Sequence, residues 1–291
     1  MPEAQIVTLD EVRKRLQAIE ELPALPTIIA EINELLSNPK TTAPQLAQII
    51  MKDPTITAKL LKIVNSAFFG MPKTITSVNQ AIVALGFNTV RSVVLCSAVM
   101  DMFSKSKLSE VTFQRKDFWM FSVAVAASAR VVARNAGVKA TETMFVAGLL
   151  HGVGKIVMDE YFHELFAASF LKARSESMTL WEAQRQVCGF TDAQVGGVLL
   201  ELWKLSPVLI NSVTFQEAPI EAPEEDRANA AFVLVGNVIA RVCGLGNPGD
   251  IALPRITPES MQVGSVEEVQ WMRLFELSID AAKKASVFFE P

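Results

Sequence analysis

The sequence of 291 residues predicts an all-α protein of about a dozen helices. Half of the residues are hydrophobic, which is enough to bury a sizeable core. Hydrophobic side chains recur every three or four residues, as in Ile28–Leu36, Leu46–Ile50 and Ile56–Val64, and this spacing is typical of amphipathic helices. No segment shows the alternation of apolar and polar residues that indicates strands.

Helix-start signals recur along the chain. At six positions a Ser or Thr is followed three residues later by Glu or Gln, a spacing that lets the two side chains satisfy free backbone amides. The six pairs are Thr8/Glu11, Thr42/Gln45, Ser77/Gln80, Thr179/Glu182, Thr191/Gln194 and Ser265/Glu268. Prolines that suit a first helical turn are Pro26, Pro54 and Pro207. Glycines expected just after helix ends are Gly86, Gly137 and Gly189.

Two segments divide the chain into predicted parts. The polar stretch Ser104–Glu110 is expected to join an N-terminal helical bundle, residues 1–104, to a second bundle, residues 111–245. These two bundles are expected to pack together. Residues 246–291 are expected to be a C-terminal extension.

The extension begins with the Gly- and Pro-rich stretch Gly244–Ser265 and ends in a predicted amphipathic helix, Val266–Val287. The residues expected on the apolar side of that helix are Trp271, Leu274, Phe275 and Leu277. Such a side would pack on the rest of the chain or on a second copy in a homodimer.

Charge and composition exclude several classes of protein. A formal net charge of −4 gives no general attraction to nucleic acid or to an acidic membrane surface. No window approaches the ~20 mainly apolar residues of a spanning helix, and the N-terminus lacks the apolar region of a secretory signal. Three cysteines without a CxxC motif favour reduced thiols and a cytoplasmic location.

The segment GLLHGVGK, residues 148–155, carries the clearest chemical signal. An apolar helix ends there on His151, next to two glycines, so one interpretation is a metal or phosphate site at a helix end. The alternative is a buried His whose ring nitrogens are satisfied by the protein.

The same segment resembles the central motif of the HD superfamily of metal-dependent phosphohydrolases, in which a His-Asp pair lies in an LLHDIGK-like context. Three other stretches resemble the HDOD domain, a bacterial signalling offshoot of the HD fold. They are LPALP at 22–26, DPTITAKLLKIVNSAFFG at 53–70 and TSVNQAIVALG at 76–86. The resemblance covers roughly residues 15–220. It implies an N-terminal HDOD-type bundle followed by an HD-like bundle.

The resemblance also implies that the metal ligands of HD enzymes are largely missing. The first His of those enzymes corresponds to Phe121, and the His-Asp pair corresponds to His151 and Gly152. The remaining ligand positions fall on Asp192, on Phe215 and Gln216, and on Asn237.

A catalytic metal site needs about three protein ligands and an open position for water. The chain contains two histidines, and His163 is expected at the surface or at a helix start. His151 and Asp192 are too few, so the sequence predicts no metal, no cofactor and no catalytic activity.

The leading functional hypothesis is a non-catalytic, regulatory signal-transduction module that binds signalling proteins, as the resemblance to HDOD proteins implies. The candidate partner surface is the stretch Asn65–Ser77, with Phe68, Phe69 and Met71. Adjacent Phe and Met side chains suit an adaptable contact surface. The alternative is that the two phenylalanines fill the seam between the bundles.

Three other functions stay open at this point. A nucleotide-sensing pocket in the former HD cleft would use the charges of Lys155 and Arg241. The alternative, which the sequence favours, is that both are solvated charges at helix ends. Residues 43–67 resemble a helix-turn-helix, but region 41–75 carries four Lys and one Asp, which is thin for DNA binding. A residual metal-dependent phosphohydrolase is the fourth hypothesis.

Overall fold

The computed structural model describes residues 8–18, 27–38, 40–104, 114–139, 141–250 and 252–289. These residues form helices joined by turns and loops without a strand, which confirms the all-α prediction. The LPALP motif at residues 22–26, including Pro26, lies outside the described residues, as does the predicted linker after Ser104.

The α-helices are labelled in chain order. They are α1 (Leu9–Ala18), α2 (Thr27–Leu36), α3 (Ala43–Ile50), α4 (Pro54–Val64), α5 (Val78–Leu85), α6 (Phe87–Ser104), α7 (Arg115–Asn135), α8 (Glu142–Leu150), α9 (Val153–Tyr161), α10 (His163–Ser175), α11 (Leu180–Val187), α12 (Asp192–Leu202), α13 (Pro207–Thr214), α14 (Arg227–Val242), α15 (Pro258–Val263) and α16 (Trp271–Ala285). Short 3-10 helices lie at Pro219–Glu221, Glu224–Asp226, Glu268–Gln270 and Ser286–Phe289. There are more helices than expected because short breaks, such as the one at His151 and Gly152, interrupt apolar runs.

The chain forms two compact units that are discontinuous in sequence. The large unit contains residues 1–22 and 106–282, and the small unit contains residues 23–105 and 283–291. The predicted parts 1–104, 111–245 and 246–291 follow the chain in order. The structure instead groups α1 with the helices after residue 106, and the last nine residues with the N-terminal helices.

Local signals place most helix ends correctly. Thr179 and Thr191 each form a reciprocal capping box with the Glu or Gln three residues later. Pro54 and Pro207 occupy the first positions of α4 and α13. The predicted glycines Gly86, Gly137 and Gly189 follow helix ends with φ values of 82°, 83° and 82°, which a side chain rarely adopts.

The C-terminal helix differs from its prediction. A continuous helix Val266–Val287 was expected, but α16 is flanked on both sides by 3-10 turns. The Ser265/Glu268 pair does not cap it, because Ser265 has a left-handed φ of 49° and a capping box forms at Glu267 and Gln270 instead. Leu274 is fully buried, whereas Leu277 is 42% exposed and does not belong to the apolar side.

The core of the large unit is built around α7, which packs mainly against α8 and α14. A Cβ on Gly148 of α8 would lie 2.6 Å from the Cα of Ala126, and one on Gly236 of α14 would lie 2.7 Å from the amide nitrogen of Ala129. Glycine therefore lets both helices touch the α7 backbone. His151 directly follows α8. The packing therefore brings both His151 and α14 close to Phe121 on α7.

None of the described helices combines the length and the apolar character that a membrane crossing requires.

Candidate functional site

His151 lies at the centre of the candidate site and is buried. Its Nδ1 is 2.7 Å from the carbonyl oxygen of Gly148, so Nδ1 carries the proton and donates it there. The ring packs edge-on against Phe121 at 5.6 Å between centroids and lies 6.4 Å from Phe118. Burial lowers the pKa of His151 to about 3, and the cations Lys155 and Arg241 act in the same direction. The imidazole is therefore neutral at physiological pH.

The resemblance to HD enzymes places Gly152 at the Asp of their His-Asp pair. A Cβ built on Gly152 would lie 2.4 Å from the Cζ of Phe118, so an aromatic ring fills the space of that carboxylate. Phe118 was missed by the sequence analysis. Its position three residues before Phe121, on the same face of one helix, is the signal that would have found it.

Lys155 and Arg241 come from α9 and α14 and converge on the carboxylate of Asp250. The Nη2 of Arg241 lies 2.6 Å from Oδ1 of Asp250, and the Nζ of Lys155 lies 3.8 Å from the same oxygen. Side-chain exposure is 8% for Lys155, 7% for Arg241 and 10% for Asp250. The interpretation of these cations as solvated helix-end charges is therefore wrong.

The loop Gly244–Asp250, which follows α14, delivers Asp250 to this cluster. Gly246, with a φ of 77°, lies so close to α7 that a Cβ there would be 2.3 Å from the amide nitrogen of Phe121. The amide of Asn247 donates to the carbonyl of Asp117 at 3.1 Å. Lys155 donates to the carbonyl of Pro248 at 2.9 Å. These contacts hold the loop in a closed position over the site within the large unit.

Asp192 and Asn237 also face the pocket, and both are already engaged. Trp181 Nε1 donates to Asp192 Oδ1 at 2.7 Å, and Arg241 Nε donates to Asn237 Oδ1 at 2.7 Å. Burial raises the pKa of Asp192, while the charge of Lys155 opposes that rise.

Gln216 lies behind the pocket and acts on the backbone of the site. Its Nε2 donates to the carbonyl of His151 at 2.7 Å and to that of Val213 at 3.0 Å. The next residue, Glu217, accepts from Thr191 at 2.8 Å and pairs with Arg185 at 2.8 Å. Burial raises the pKa of Glu217 to about 7 against the effect of Arg185. No sequence signal pointed to this second buried carboxyl.

The pocket itself has a volume of about 10 Å³, room for about one water molecule. Its lining residues are His151, Lys155, Thr179, Trp181, Asp192, Asn237, Arg241, Asp250, Ala252 and Pro254. The structure thus brings together five of the sequence-predicted residues, while Phe121, Gly152 and Gln216 lie around them. Trp181 and Asp250 were missed, because neither belongs to a recognisable motif.

These residues do not fit a metal of the HD type. Phe121 stands at one expected ligand position, and the Phe118 ring fills the space beside Gly152 at another. The cations Lys155 and Arg241 lie beside the remaining donors, which are His151, Asp192 and Asn237. Within the described ranges, no cluster of three or more His, Cys, Asp or Glu side chains is arranged to hold a metal ion.

The second candidate region belongs to the small unit. Phe68, Phe69 and Met71 are all half-buried. The Phe68 ring packs edge-on against Phe69, at 4.9 Å between centroids, and against Phe288, at 5.8 Å. The Asn65 side chain closes the loop: it donates to the carbonyl of Ile75 at 2.8 Å and accepts from the amide of Ile75 at 2.7 Å.

Comparison with known proteins agrees with this architecture. The model of the HDOD domain matches residues 22–219. An uncharacterized protein of Treponema pallidum (strain Nichols) is 24% identical over 233 residues, which are 77% of this chain and 43% of that protein. This chain thus spans less than half the length of that curated relative.

Solved structures resemble the chain over nearly its whole length. An HDOD domain protein of unknown function from Geobacter sulfurreducens has a TM-score of 0.80 at 22% identity, covering 97% of this chain and 98% of that one. A protein of Shewanella amazonensis SB2B, provisionally named a phosphohydrolase, has a TM-score of 0.70 at 24% identity, covering 94% and 96%. A protein of Marinobacter aquaeolei VT8, provisionally named a signal transduction protein, has a TM-score of 0.76 at 20% identity, covering 97% and 65%.

At these identities the structural likeness establishes the fold alone. The family match covers more than half of the chain and includes the motifs at 53–70 and 76–86 and the segment at 148–155. The chain therefore belongs to the HDOD domain family.

Proposed function

We propose that this chain is a non-catalytic regulatory protein of bacterial signal transduction, which acts by binding another protein. The observation that carries the proposal is the filling of the former HD site. The Phe118 ring lies against Gly152, Phe121 lies against His151, and the Lys155–Asp250–Arg241 cluster occupies the space between the helices.

The chemistry of this cluster supports the non-catalytic assignment. A neutral His151 has one ring nitrogen committed to a carbonyl, and the carboxylate of Asp192 is bound by Trp181. Activating a water molecule for phosphate hydrolysis needs a metal with an open coordination position, or a base near the water. The two cations beside these donors oppose binding of a further cation. The phosphohydrolase alternative is therefore the weaker one.

The loop Asn65–Ser77 is the proposed partner surface. Its two rings and Met71 are partly accessible, so a partner that covers them would bury apolar area and gain packing contacts. The signalling partner would then recognise the small unit, while the large unit serves as a scaffold. Two further apolar side chains are exposed near the C-terminus: Val269, in the 3-10 helix before α16, and Met272, on α16. A second copy of the chain could cover them in a homodimer.

Affinity capture from native lysate, followed by identification of the bound protein and measurement of its affinity, tests the partner surface. We expect Phe68→Ala with Phe69→Ala to weaken binding of that protein at least tenfold, and Val83→Ala, an exposed apolar control in the same unit, to leave it unchanged. Equal binding by all three proteins would refute the surface.

Metal analysis and a phosphate-release assay on the purified full chain test the non-catalytic part. We expect neither a stoichiometric transition metal nor turnover of nucleotides or pyrophosphate. A stoichiometric Fe, Mn, Ni or Zn with turnover would establish the phosphohydrolase instead.

DNA binding by α3 and α4 is disfavoured by their contacts. Of the four lysines in residues 41–75, Lys52 pairs with Glu31 and Lys59 pairs with Asp101. The apolar residues of α4 are turned into the core of the small unit, where Leu60 and Val64 are buried. A gel shift that weakens steeply with salt would reverse this judgement.

A further inference from the structure

Two buried cations in the large unit converge on one carboxylate. Arg241 donates to the side chain of Asp250 at 2.6 Å and to its carbonyl oxygen at 3.1 Å, and Lys155 approaches the same side chain to 3.8 Å. The cations also face aromatic rings, with Lys155 over Phe118 at 5.7 Å and Arg241 over Phe121 at 5.5 Å. Arg and Lys are the side chains with which proteins bind oxyanions, because both donate charge-assisted hydrogen bonds to anionic oxygens.

The anion in this arrangement belongs to a loop, whereas the cations belong to helices. Lys155 and Arg241 lie on α9 and α14, and the core packing of the large unit fixes both. Asp250 ends a segment that contains Gly244, Gly246 and Gly249, each with positive φ. The closed segment is held by hydrogen bonds to α7, Lys155 and Arg241 and by the backbone contact of Gly246 with Phe121. Movement of this loop would remove the anion and leave the two cations in place.

We propose that Lys155 and Arg241 form an oxyanion-binding site in which Asp250 is the resident, intramolecular anion, and that a phosphoryl group of a small molecule replaces it when the loop Gly244–Asp250 moves away. This inference rests on the proposed non-catalytic character of the pocket. Thr179 and Trp181 line the same pocket beside the cations. Their polar hydrogens are already donated to Glu182 and Asp192, so these two residues would contact the rest of a phosphorylated ligand through their apolar surfaces.

The closed site has room for only about one water molecule, because the Asp250 carboxylate fills the space beside the two cations. A carboxylate tethered beside its cations competes at a high effective concentration with any free anion. Only molecules with an open loop can bind a phosphoryl ligand. The apparent affinity of the wild-type chain is therefore low, because it is reduced in proportion to the fraction of molecules in which the loop is open. Neutralising Asp250 removes the competitor without removing the cations.

Calorimetric titration of the full chain with inorganic pyrophosphate tests the proposal. We expect Asp250→Asn to bind pyrophosphate at least tenfold more tightly than the wild type does. Asp226→Asn, which neutralises another buried carboxyl of the large unit, should bind like the wild type. Asp250→Asn combined with Arg241→Gln should lose the gain.

Leaving two cations without their carboxylate will lower the stability of Asp250→Asn, so its folding is followed in parallel. Pyrophosphate should raise the Tm of Asp250→Asn more than that of the wild type, because a ligand stabilises the folded state that binds it. In the wild type, excess pyrophosphate should accelerate hydrogen exchange of the amides at residues 245–250.

A smaller gain than tenfold, or a gain that survives Arg241→Gln, would overturn the proposal. If Asp250→Asn does not fold, unchanged exchange at residues 245–250 in the wild type would overturn it. Release of phosphate from bound pyrophosphate would contradict the proposed non-catalytic function and leave the binding site standing, so the two failures are distinguishable.

Discussion

The degenerate HD site of the large unit and the loop Asn65–Ser77 of the small unit are built in opposite ways. In the site, charged and polar side chains are buried, and glycines press helix backbones and the loop together. In the loop, Phe68 and Phe69 remain half-buried, and a Cβ on Gly70 would meet no atom within 4 Å. The site is thus constrained by its own packing, and the loop retains surface that another molecule can contact.

The largest expected difference in stability is between breaking a buried salt bridge of the site and breaking an exposed salt bridge of the small unit. Arg241→Met leaves the buried carboxylate of Asp250 without its main partner and should lower the free energy of unfolding by about 3–5 kcal/mol. Lys52→Met removes the pair with Glu31, in which the lysine side chain is 62% exposed, and should cost at most about 1 kcal/mol. Urea unfolding of both variants measures the difference, and equal losses would contradict the contrast.

Aromatic truncation provides the next contrast. Phe121 is 1% exposed between His151 and Arg241, so Phe121→Ala should cost about 3–5 kcal/mol of stability. Phe68 is half-buried, so Phe68→Ala should cost about 1–2 kcal/mol and affect mainly partner binding. Thermal unfolding measures the stability loss of both variants. The affinity for the captured partner measures the effect of Phe68→Ala on binding. A loss at Phe68 as large as that at Phe121 would mean that the loop is core.

Replacing a glycine with alanine should lower stability by different amounts in the two regions, and for different physical reasons. A Cβ on Gly154 would lie 1.9 Å from the carbonyl oxygen of Asp192, a backbone atom that cannot turn away, so Gly154→Ala should cost about 3 kcal/mol. Gly70 has open space but a φ of 58°, so Gly70→Ala should cost about 1 kcal/mol from backbone strain alone. Denaturant midpoints compare the variants, and a mild Gly154→Ala would show that α9 and α12 can separate easily.

The smallest expected effect concerns pH and the buried Glu217 beside the site. Burial raises the pKa of Glu217 to about 7, while the unfolded chain releases this proton near pH 4.3. Between these values the folded state binds more protons, so the contribution of Glu217 to stability is present at low pH and is lost as pH rises towards 7. Relative to Glu217→Gln, the wild type should lose on the order of 1–3 kcal/mol between pH 5 and pH 8.

Unfolding curves of the two proteins at several pH values test this expectation. His151 changes the stability of both proteins in the opposite sense, because its pKa of about 3 makes protonation favour the unfolded chain as pH falls. Only the difference between wild type and variant therefore reports on Glu217. Parallel curves would contradict the assignment.

Much of the fold was predictable from short-range patterns. Capping boxes at Thr179 and Thr191 and the glycine ends at Gly86 and Gly137 depend on residues within one helical turn of each other. The Ser265/Glu268 pair failed where the backbone at Ser265 took a left-handed conformation. A pattern of side chains predicts a cap only if the backbone can adopt the extended geometry that the cap requires.

The candidate site was predictable only in part. His151, Asp192 and Asn237 were found through a resemblance. Lys155 and Arg241 were singled out as charges, but the sequence favoured the interpretation that both are solvated, which the structure contradicts. Asp250, Trp181 and Glu217 carried no signal, because each reaches its partners across turns or between helices.

The sequence by itself determined that this chain is helical and where several of its helices begin or end, and its resemblance to HD enzymes predicted which metal ligands are replaced. Those properties follow from residue identity and from interactions between near neighbours along the chain. Only the tertiary structure decided what replaced the ligands. The placement of the Phe118 ring against Gly152 and of Asp250 between Lys155 and Arg241 depends on how α7, α9, α14 and the following loop pack, and long-range packing is not encoded in any local pattern.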